Sequence, residues 1–302
     1  MSKQLISKNT FLFKNGSTPL AENVITTAND VLVSPKAKMI DYKDCGNGQV
    51  ANDKTVVNAD FVTADFSVDV IARASGAAGT APKIAELFKA CGLKETVVAS
   101  SSVAYTPEIQ ANNGSGIVYL DGEKRTISGA AASFSFSGKI GDFAKFSFGI
   151  KGFTTLAPAA EQAPTVTLDT NDKLIVLSAT VFTVGGDEID LEDFEFDLGA
   201  DIQESYYTNT KDYTITNFKP TLKVSAVKTK GNADYWAELN SNAQKAVVIT
   251  LGSGSGKVLE FKANYCQPTE ADEKDQNGFV VYSRNWNCEN SAGGDNFSLT
   301  YK

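Results

Sequence analysis

Residues 130–153 read AAASFSFSGKIGDFAKFSFGIKGF and hold six of the 18 phenylalanines of this 302-residue chain. Apolar residues alternate with small or charged ones on both sides of residues 138–142, which have the glycine-rich composition of a turn. Alternation with a period of two places every second side chain on the same face of a β-strand. The stretch therefore predicts a β-hairpin with one aromatic face, which we expect to lie in the core of a sandwich.

The sequence on both sides of this hairpin is also typical of β structure. Alternating segments recur at residues 61–74, 188–201 and 212–227, and stretches rich in Gly, Ser and Asn separate them. Such short alternating runs between turn residues are typical of antiparallel sheets. Residues 1–60 are irregular in sequence and punctuated by Asn and Asp, and no element is predicted there. The predicted fold class is mainly β.

One helix is clearly predicted, at residues 82–91. Ile84, Leu87, Phe88 and Cys91 recur with the i, i+3, i+4, i+7 spacing of a helix face. A proline at residue 82 suits the first helical turn, and a glycine at residue 92 suits the position just past the end. A second short helix is predicted near residues 233–244.

An alanine- and proline-rich stretch at residues 156–164 divides the chain. The part up to Ala160 carries 16 basic and 14 acidic residues, and the remainder carries 12 and 22, so the net charge of -8 combines +2 with -10. We predict two tandem β-sandwich or barrel domains with short flanking helices, at residues 1–157 and 165–302.

The two halves show the same order of elements. An alternating strand near Val68 or Val224 precedes a helix near Leu87 or Leu239, and antiparallel hairpins follow. This order predicts an internal duplication, although residue identity between the halves is low. The alternative is a chance similarity between two β-rich segments.

The chain contains no histidine. Ser-His-Asp triads, Cys-His pairs and histidine metal sites are therefore excluded, and we predict that the protein is not an enzyme and needs no cofactor. Lysines interrupt the first residues and no run of 18 apolar residues occurs, so the sequence indicates neither a secretory signal nor a membrane span.

The four cysteines, Cys45, Cys91, Cys266 and Cys288, are far apart and form no CxxC pair. This usage is typical of a reduced cytoplasmic compartment. Cys266 and Cys288 lie in neighbouring predicted strands, where they either face each other or remain separate thiols. Free buried thiols are the favoured interpretation.

The densest charge in the chain is an acidic stretch at residues 187–201. Its carboxylates interleave with apolar residues, which predicts a strand with a solvated acidic face and a β-bulge near Asp193. The spacing matches no EF-hand loop. The candidate residues for a charged functional surface are Glu188, Asp190, Glu192, Asp193, Glu195 and Asp197.

A glycine- and serine-rich loop near residue 254 superficially resembles a phosphate-binding loop. The GxxxxGK[ST] motif would need glycine at Leu251 and a hydroxyl residue at Val258, so the spacing excludes it. We predict a mobile hairpin tip that could reach a neighbouring subunit. Its residues are Gly252, Ser253, Gly254, Ser255 and Gly256.

Residues 74–93 read ASGAAGTAPKIAELFKACGL, and VAYTP follows at 103–107. This order of a glycine-rich turn, a helix that starts at proline and ends in Cys-Gly-Leu, and a Tyr-Thr-Pro step resembles the tail tube proteins of long-tailed, non-contractile bacteriophages. FDLGADI at 196–202 and YTITNFKP at 213–220 are similar to second-half segments of those proteins. Ala200 and Asn217 depart from the pattern, where a more polar residue and an acidic one are expected.

The resemblance implies a structural virion protein with tail-tube-like β domains, assembled in the host cytoplasm and located in the phage tail. Copies would form hexameric rings or, when the fold is duplicated within one chain, trimers with pseudo-sixfold symmetry, and the rings would stack into a tube. DNA would pass through without specific binding, no membrane would be involved, and the acidic stretch would face the lumen. Tape-measure, tail terminator and distal tail proteins would be the other partners.

The main alternative is a cell-surface or glycan-binding β-sandwich module of a phage or bacterium. Such a module would expose aromatic side chains on a concave face, and the candidates are Tyr206, Tyr207, Trp236 and Trp286. A basic DNA-binding groove is not predicted, because an acidic surface repels the phosphate backbone.

Overall fold

A computed structural model describes residues 5, 8–43, 53–74, 76–108, 113–166, 173–175, 177, 180–227, 239–276, 278–291 and 293–302. The fold is mainly β, as predicted. The strands before residue 165 are β1 (Asn9–Asn15), β2 (Val24–Ile25), β3 (Pro35–Lys43), β4 (Asp53–Ile71), β5 (Arg73–Ala74), β6 (Leu93–Val98), β7 (Ser102–Pro107), β8 (Gly114–Leu120), β9 (Glu123–Lys139), β10 (Lys145–Phe153) and β11 (Ala159–Ala160).

The strands after residue 165 are β12 (Lys173–Leu174), β13 (Thr180–Val184), β14 (Asp187–Glu188), β15 (Leu191–Asp197), β16 (Ala200–Tyr206), β17 (Lys211–Phe218), β18 (Thr221–Val227), β19 (Lys245–Leu251), β20 (Leu259–Gln276), β21 (Phe279–Glu289) and β22 (Ser298–Tyr301). A 3-10 helix spans Ala21–Asn23, and the helix α1 spans Ala85–Ala90.

The predicted elements agree with these bounds in part. The phenylalanine-rich hairpin is formed by β9 and β10. The segment predicted as one strand at 212–227 is two strands, because the proline at residue 220 lies between β17 and β18 and has no N–H for the ladder. Residues 1–60 contain β1, β2, β3 and the start of β4, which the irregular sequence of this region did not predict.

The predicted helices are shorter than expected. α1 has six residues, with residues 82–84 in a turn before it and Gly92 at a φ of 74° just past its end. Glycine suits this left-handed position because it has no Cβ. In the second predicted helix, residues 239–241 are helical, and residues 233–238 lie outside the described part of the chain.

Eight strands form one continuous antiparallel sheet. Their spatial order is β3, β4, β10, β9, β15, β18, β21 and β20, and each neighbouring pair is joined by a hydrogen-bonded ladder. The ladder between β9 and β15 links the two parts of the chain. A single hydrophobic cluster also includes residues from both parts, and the predicted domain division at residues 157 and 165 stays a prediction.

The sheet consists of two successive sets of four strands with the same connectivity. In the first set, β3, β4, β9 and β10 follow one another along the chain and occupy the first, second, fourth and third positions in the sheet. In the second set, β15, β18, β20 and β21 occupy the same positions in the same order. Outside the sheet, β1 pairs with β8 in one set as β13 pairs with β19 in the other. We call these sets, with their outer strands, the first and second units.

The two units also share an irregularity. In the ladder between β8 and β9, Gly114 and Gly116 lie opposite Ala130 and Ile127, so β9 has one extra residue where it bends towards β10. Where β20 bends from β19 towards β21, Lys245 and Val247 lie opposite Cys266 and Ala263 with the same extra residue. Counting along the ladders from this shared bulge makes Val68 equivalent to Val224. This is the pairing expected from the sequence, and it is the arrangement that a duplication would produce.

One face of the sheet packs against the core, and its centre is aromatic. Phe134, Phe136, Phe146 and Phe148 are buried, and α1 inserts Phe88 among them. The Phe88 ring centre lies 5.6, 5.2 and 5.7 Å from the centres of the Phe134, Phe146 and Phe148 rings. The expectation that this hairpin supplies a sandwich core is confirmed for these side chains. Phe143, in the turn, is 39% exposed.

The β16–β17 hairpin forms a second, smaller core with the end of the first unit. Tyr213 stacks on Phe153 at 5.1 Å, and Tyr206 contacts Phe61 at 4.5 Å. The main-chain carbonyl of Asp60 accepts a hydrogen bond from Lys211. This hairpin therefore ties the second unit to the first beyond the shared sheet.

A polar network fixes α1 to the strands around it. The Glu86 carboxylate accepts a hydrogen bond from the Asn15 N–H, and the Lys89 ammonium lies 3.1 Å from both Glu86 and Glu95. The Tyr105 hydroxyl donates to Glu95, and burial, followed by the charge of Glu95, raises the pKa of Tyr105. Partly buried ion pairs of this kind hold a helix in one orientation.

This network predicts a loss of stability in acid. Burial raises the pKa of Glu86, but the hydrogen bonds from Asn15 and Lys89 outweigh burial, so the pKa lies below its usual 4.5. A carboxyl with a lowered pKa in the folded state stabilises the protein above its unfolded pKa, and that contribution disappears as the pH falls through the folded value. We expect Glu86→Gln to destabilise the protein by about 1 kcal/mol at pH 7. The variant should also lose less stability than the wild type between pH 5 and pH 3, as urea unfolding at each pH would measure. An unchanged pH dependence would show that Glu86 is not the responsible group.

Candidate assembly surface

The second face of the eight-stranded sheet is polar and faces away from the core. Its side chains lie between the buried ones along each strand, and serine and asparagine occupy much of its centre. Carboxylates and lysines share this face. They include Asp65, Asp69, Asp193, Glu195, Asp197, Glu270, Asp272, Lys36, Lys139, Lys145, Lys151, Lys223 and Lys274.

The six acidic candidates do not all share this face. Asp193, Glu195 and Asp197 alternate along β15 with the buried Phe194 and Phe196, so these three carboxylates point to the polar face as predicted. Glu188 lies in β14, which pairs with β13 away from the sheet, and Asp190 connects β14 to β15. The predicted acidic strand is therefore interrupted before β15.

The bulge predicted near Asp193 is present. Leu191 and Asp193 lie opposite Ala226 and Ser225, which leaves Glu192 as the extra residue. The Glu192 carboxylate is 3.9 Å from the Lys139 ammonium, and its side chain is 19% exposed. Because Glu192 is the extra residue of the bulge, its side chain does not follow the regular alternation of β15.

Lysines on neighbouring strands lie opposite the carboxylates of β15. Asp193 is directly across from Lys139 on β9, and Glu195 is across from Lys223 on β18. Farther along the face, Lys145 forms a 2.6 Å ion pair with Asp69. Alternating charges in adjacent strands stabilise the ladder, and the polar face is mixed in sign rather than an acidic belt.

The glycine–serine loop contacts its own chain at one end. Gly256 has a φ of 72°, and a Cβ at this position would lie 2.8 Å from the main-chain nitrogen of Ala77. The Gly256 carbonyl accepts a hydrogen bond from the Gly76 N–H. Ser253, Gly254 and Ser255 remain exposed, so the loop can offer only its outer three residues to another subunit.

Both lateral edges of the eight-stranded sheet are open in the described part of the chain. At one edge, residues 267–276 of β20 are paired with β21 on one side only. At the other edge, β3 is paired only with β4. Exposed sheet edges are templates for pairing with another chain.

The segment before β3 occupies the position that β15 has in the second unit. Continuing the β3–β4 register places Val33 opposite Phe66, as Phe196 lies opposite Leu222. Val31 is fully buried and Val33 packs against the same core, as their equivalents Phe194 and Phe196 do. Residues 30–34 nevertheless belong to no strand.

Asn29 supplies the hydrogen bonds that a neighbouring strand would give to β4 at this position. Its side chain accepts from the Asp69 N–H at 2.8 Å and donates to the Ser67 carbonyl at 3.3 Å. The segment is therefore aligned along β4 but is not locked into a ladder. No sequence pattern predicted that this segment lies beside β4 in the place of a first strand, because only the comparison of the two units identifies that position.

The aromatic candidates of the glycan-binding alternative are not brought together. Trp286 is 2% exposed and belongs to the core, while Tyr206 packs on Phe61 and Tyr207 is 70% exposed. Trp236 lies outside the described residues. The sequence also did not predict the buried Arg284, whose guanidinium lies 5.7 and 5.5 Å from the ring centres of Tyr282 and Trp286. Burial lowers the pKa of Arg284 to about 9.

Within the described residues, no group of three or more acidic or cysteine side chains is placed to hold a metal ion. No helix in that same part of the chain is long and apolar enough to cross a membrane. The chain matches no known protein family, and no curated protein is similar to it.

Proposed function

We propose that this protein is a structural subunit of a phage tail tube, which closes into rings through the two open edges of its eight-stranded sheet. The observation that carries the proposal is the repeated unit. Within one chain, the fourth strand of the first unit, β9, already pairs with the first strand of the second unit, β15. The fourth strand of the second unit, β20, has a free edge where β9 is paired with β15. Residues 28–34 lie at the first position of the first unit, which is the position that β15 has in the second unit.

Continuing the same junction between copies would give a closed ring. Because β9 and β20 run in the same direction in their units, a second copy would meet β20 in the antiparallel orientation that β15 has to β9. Head-to-tail contacts of one kind close into a ring when the rotation per copy divides a full turn. Two units per chain favour a trimer with pseudo-sixfold symmetry over a hexamer.

The polar face suits the wall of a channel for DNA. Its lysines lie beside carboxylates, as Lys139 does beside Asp193, so the face offers no continuous basic track for phosphates. Serine and asparagine side chains between the charges keep the surface hydrated. Genome passage without specific binding follows from such a surface.

The β3–β4 arm is the best candidate for contact between stacked rings. It extends beyond the neighbouring strands and exposes apolar side chains on both of its faces, and these are Met39, Ile40, Tyr42, Val56 and Val57. Clustered apolar residues of this kind mark interaction surfaces. We place the protein in the virion tail, with tape-measure, tail terminator and distal tail proteins as its other partners and the host cytoplasm as the site of assembly.

A register-specific cross-link tests the ring junction. At the β9–β15 junction, Ser137 lies opposite Glu195. At the proposed junction between copies, the equivalent pair is Lys274 of one copy and Leu32 of the next. In a Cys45→Ser background, we expect Leu32→Cys with Lys274→Cys to form disulfide-linked oligomers upon mild oxidation. Electron microscopy of the wild-type protein at high concentration should show rings or tubes.

A matched control uses Leu32→Cys with Glu270→Cys. Residue 270 is also on the polar face but four positions along β20, about 13 Å away at roughly 3.3 Å per residue, so this pair should remain monomeric on denaturing gels. Equal cross-linking of both pairs would argue against the register. A protein that stays monomeric at every concentration would argue against the tail tube itself.

A further inference from the structure

Two cysteines of the second unit lie directly opposite each other on neighbouring strands. Cys266 of β20 is paired in the ladder with Cys288 of β21, and the Cys266 thiol donates a hydrogen bond to the Ala263 carbonyl. Directly opposed residues of an antiparallel pair have Cα atoms about 4.5 or 5.5 Å apart, and both values suit a disulfide. The backbone therefore needs no rearrangement for a bond to form between the two sulfurs.

The bend of β20 brings these positions together. Cys266 stands at the bulge where β20 leaves β19 and joins β21, and the equivalent residues in the first unit are Ala130 and Gly152. A Cβ built on Gly152 would lie 3.3 Å from the Ala130 Cβ, close to the separation of about 3.5–4.5 Å found in disulfides. Both units thus have a narrow corner here, and the second unit fills it with two thiols.

We propose that Cys266 and Cys288 form an oxidation site that converts to an intrachain disulfide when the protein meets a low-molecular-weight disulfide oxidant. The Cys288 thiolate attacks the oxidant, forms a mixed disulfide and releases one small thiol. The Cys266 thiolate then attacks the Cys288 sulfur, forms the protein disulfide and releases the second small thiol. The two electrons and two protons lost by the cysteines are thus carried by the released thiols.

The reaction should be slow and should depend on pH. Cys266 is fully buried and Cys288 is 3% exposed, so the oxidant reaches Cys288 first and only when the β20–β21 edge opens locally. Donation of the Cys288 S–H to the Cys266 sulfur, and then burial, raise the pKa of Cys288, so little of it is thiolate at neutral pH. Oxidation should therefore accelerate as the pH rises. This site does not depend on the proposed tail tube function.

The experiment compares the full-length Cys45→Ser protein after incubation with oxidised glutathione and with a phosphine reductant. We expect the oxidised sample to lose the mass of two hydrogen atoms, and peptide mapping should join the peptides that hold Cys266 and Cys288. The melting temperature should be higher by about 5 °C in the oxidised sample, because the bond closes a loop of about 20 residues in the unfolded chain.

Single-cysteine variants provide the controls. Cys91→Ala removes the other buried thiol and should leave the mass change intact, whereas Cys288→Ala should abolish it and leave Cys266 open to alkylation after denaturation. The mass of the Cys45→Ser protein decides the matter even if Cys288→Ala folds poorly. The proposal is overturned if that protein keeps all three thiols after prolonged oxidation at pH 8, or if it stops at a stable mixed disulfide with glutathione.

Discussion

Phe88→Ala is expected to lower the free energy of unfolding by about 3–5 kcal/mol, because a fully buried aromatic ring is removed from a packed core. Phe88 has no exposed surface, and its ring contacts Tyr105 at 4.9 Å as well as three phenylalanines of the β9–β10 hairpin. Since folded domains are commonly stable by only about 5–15 kcal/mol, a loss of this size should be obvious in urea unfolding. The transition midpoint should fall while the dependence on urea concentration stays the same.

The matched control for this loss is Phe143→Ala. Phe143 lies in the turn of the same hairpin and is 39% exposed, so the same truncation should change stability by about 0.5 kcal/mol or less. Similar losses for both variants would mean that α1 is not packed on the hairpin in solution. Phe88→Leu fills most of the cavity and should recover part of the difference.

Local sequence patterns predicted the parts of the fold in which neighbours along the chain determine the outcome. The alternation in residues 130–153 predicted the hairpin and its buried face, and the break in alternation near Asp193 predicted the bulge. Gly92 predicted the end of α1 because only a left-handed residue continues the chain there at low cost. In each case, the deciding contacts are within a few residues.

Long-range pairing explains what the sequence did not predict. The register that places Cys266 opposite Cys288 depends on a bulge at the bend of β20, and no local pattern specifies it. The regular strands within residues 1–60 were missed because their partners are distant, as Asn9 pairs with Leu120. Among the acidic candidates, Glu188 and Asp193 belong to different ladders, which alternation alone cannot distinguish.

The role of residues 28–34 was beyond sequence reasoning for another reason. Val31 and Val33 are inward-facing like Phe194 and Phe196, but the segment belongs to no strand in the isolated chain. Its side chains follow the pattern of a first-position strand, while among the described residues no second strand pairs with its backbone and only the Asn9 side chain donates a hydrogen bond to the Val31 carbonyl. A partner that supplies that neighbour would explain both observations.

The double substitution Leu32→Pro with Val33→Pro is therefore expected to abolish ring formation while the monomer stays folded. Successive residues of a strand direct their N–H groups to opposite edges, so two consecutive prolines remove one donor at each edge of the segment. A ladder with β20 of a second copy therefore cannot form at these residues, whichever of the two faces the copy. Leu32 is 49% exposed and residues 30–34 belong to no ladder within the chain, so the fold should lose mainly the packing of the partly buried Val33 side chain. Sedimentation should show the wild type as rings or larger and the variant as a monomer with a similar circular dichroism spectrum.

Leu32→Ala with Val33→Ala separates backbone pairing from side-chain packing. It removes the same side chains but keeps both N–H donors, so it should still assemble, with at most a higher threshold concentration. If the alanine variant also fails to form rings, side-chain contacts at residues 32 and 33 hold the junction rather than a ladder. If the proline variant assembles normally, residues 28–34 do not pair with β20, and the ring must close through another edge, of which β3 is the remaining candidate.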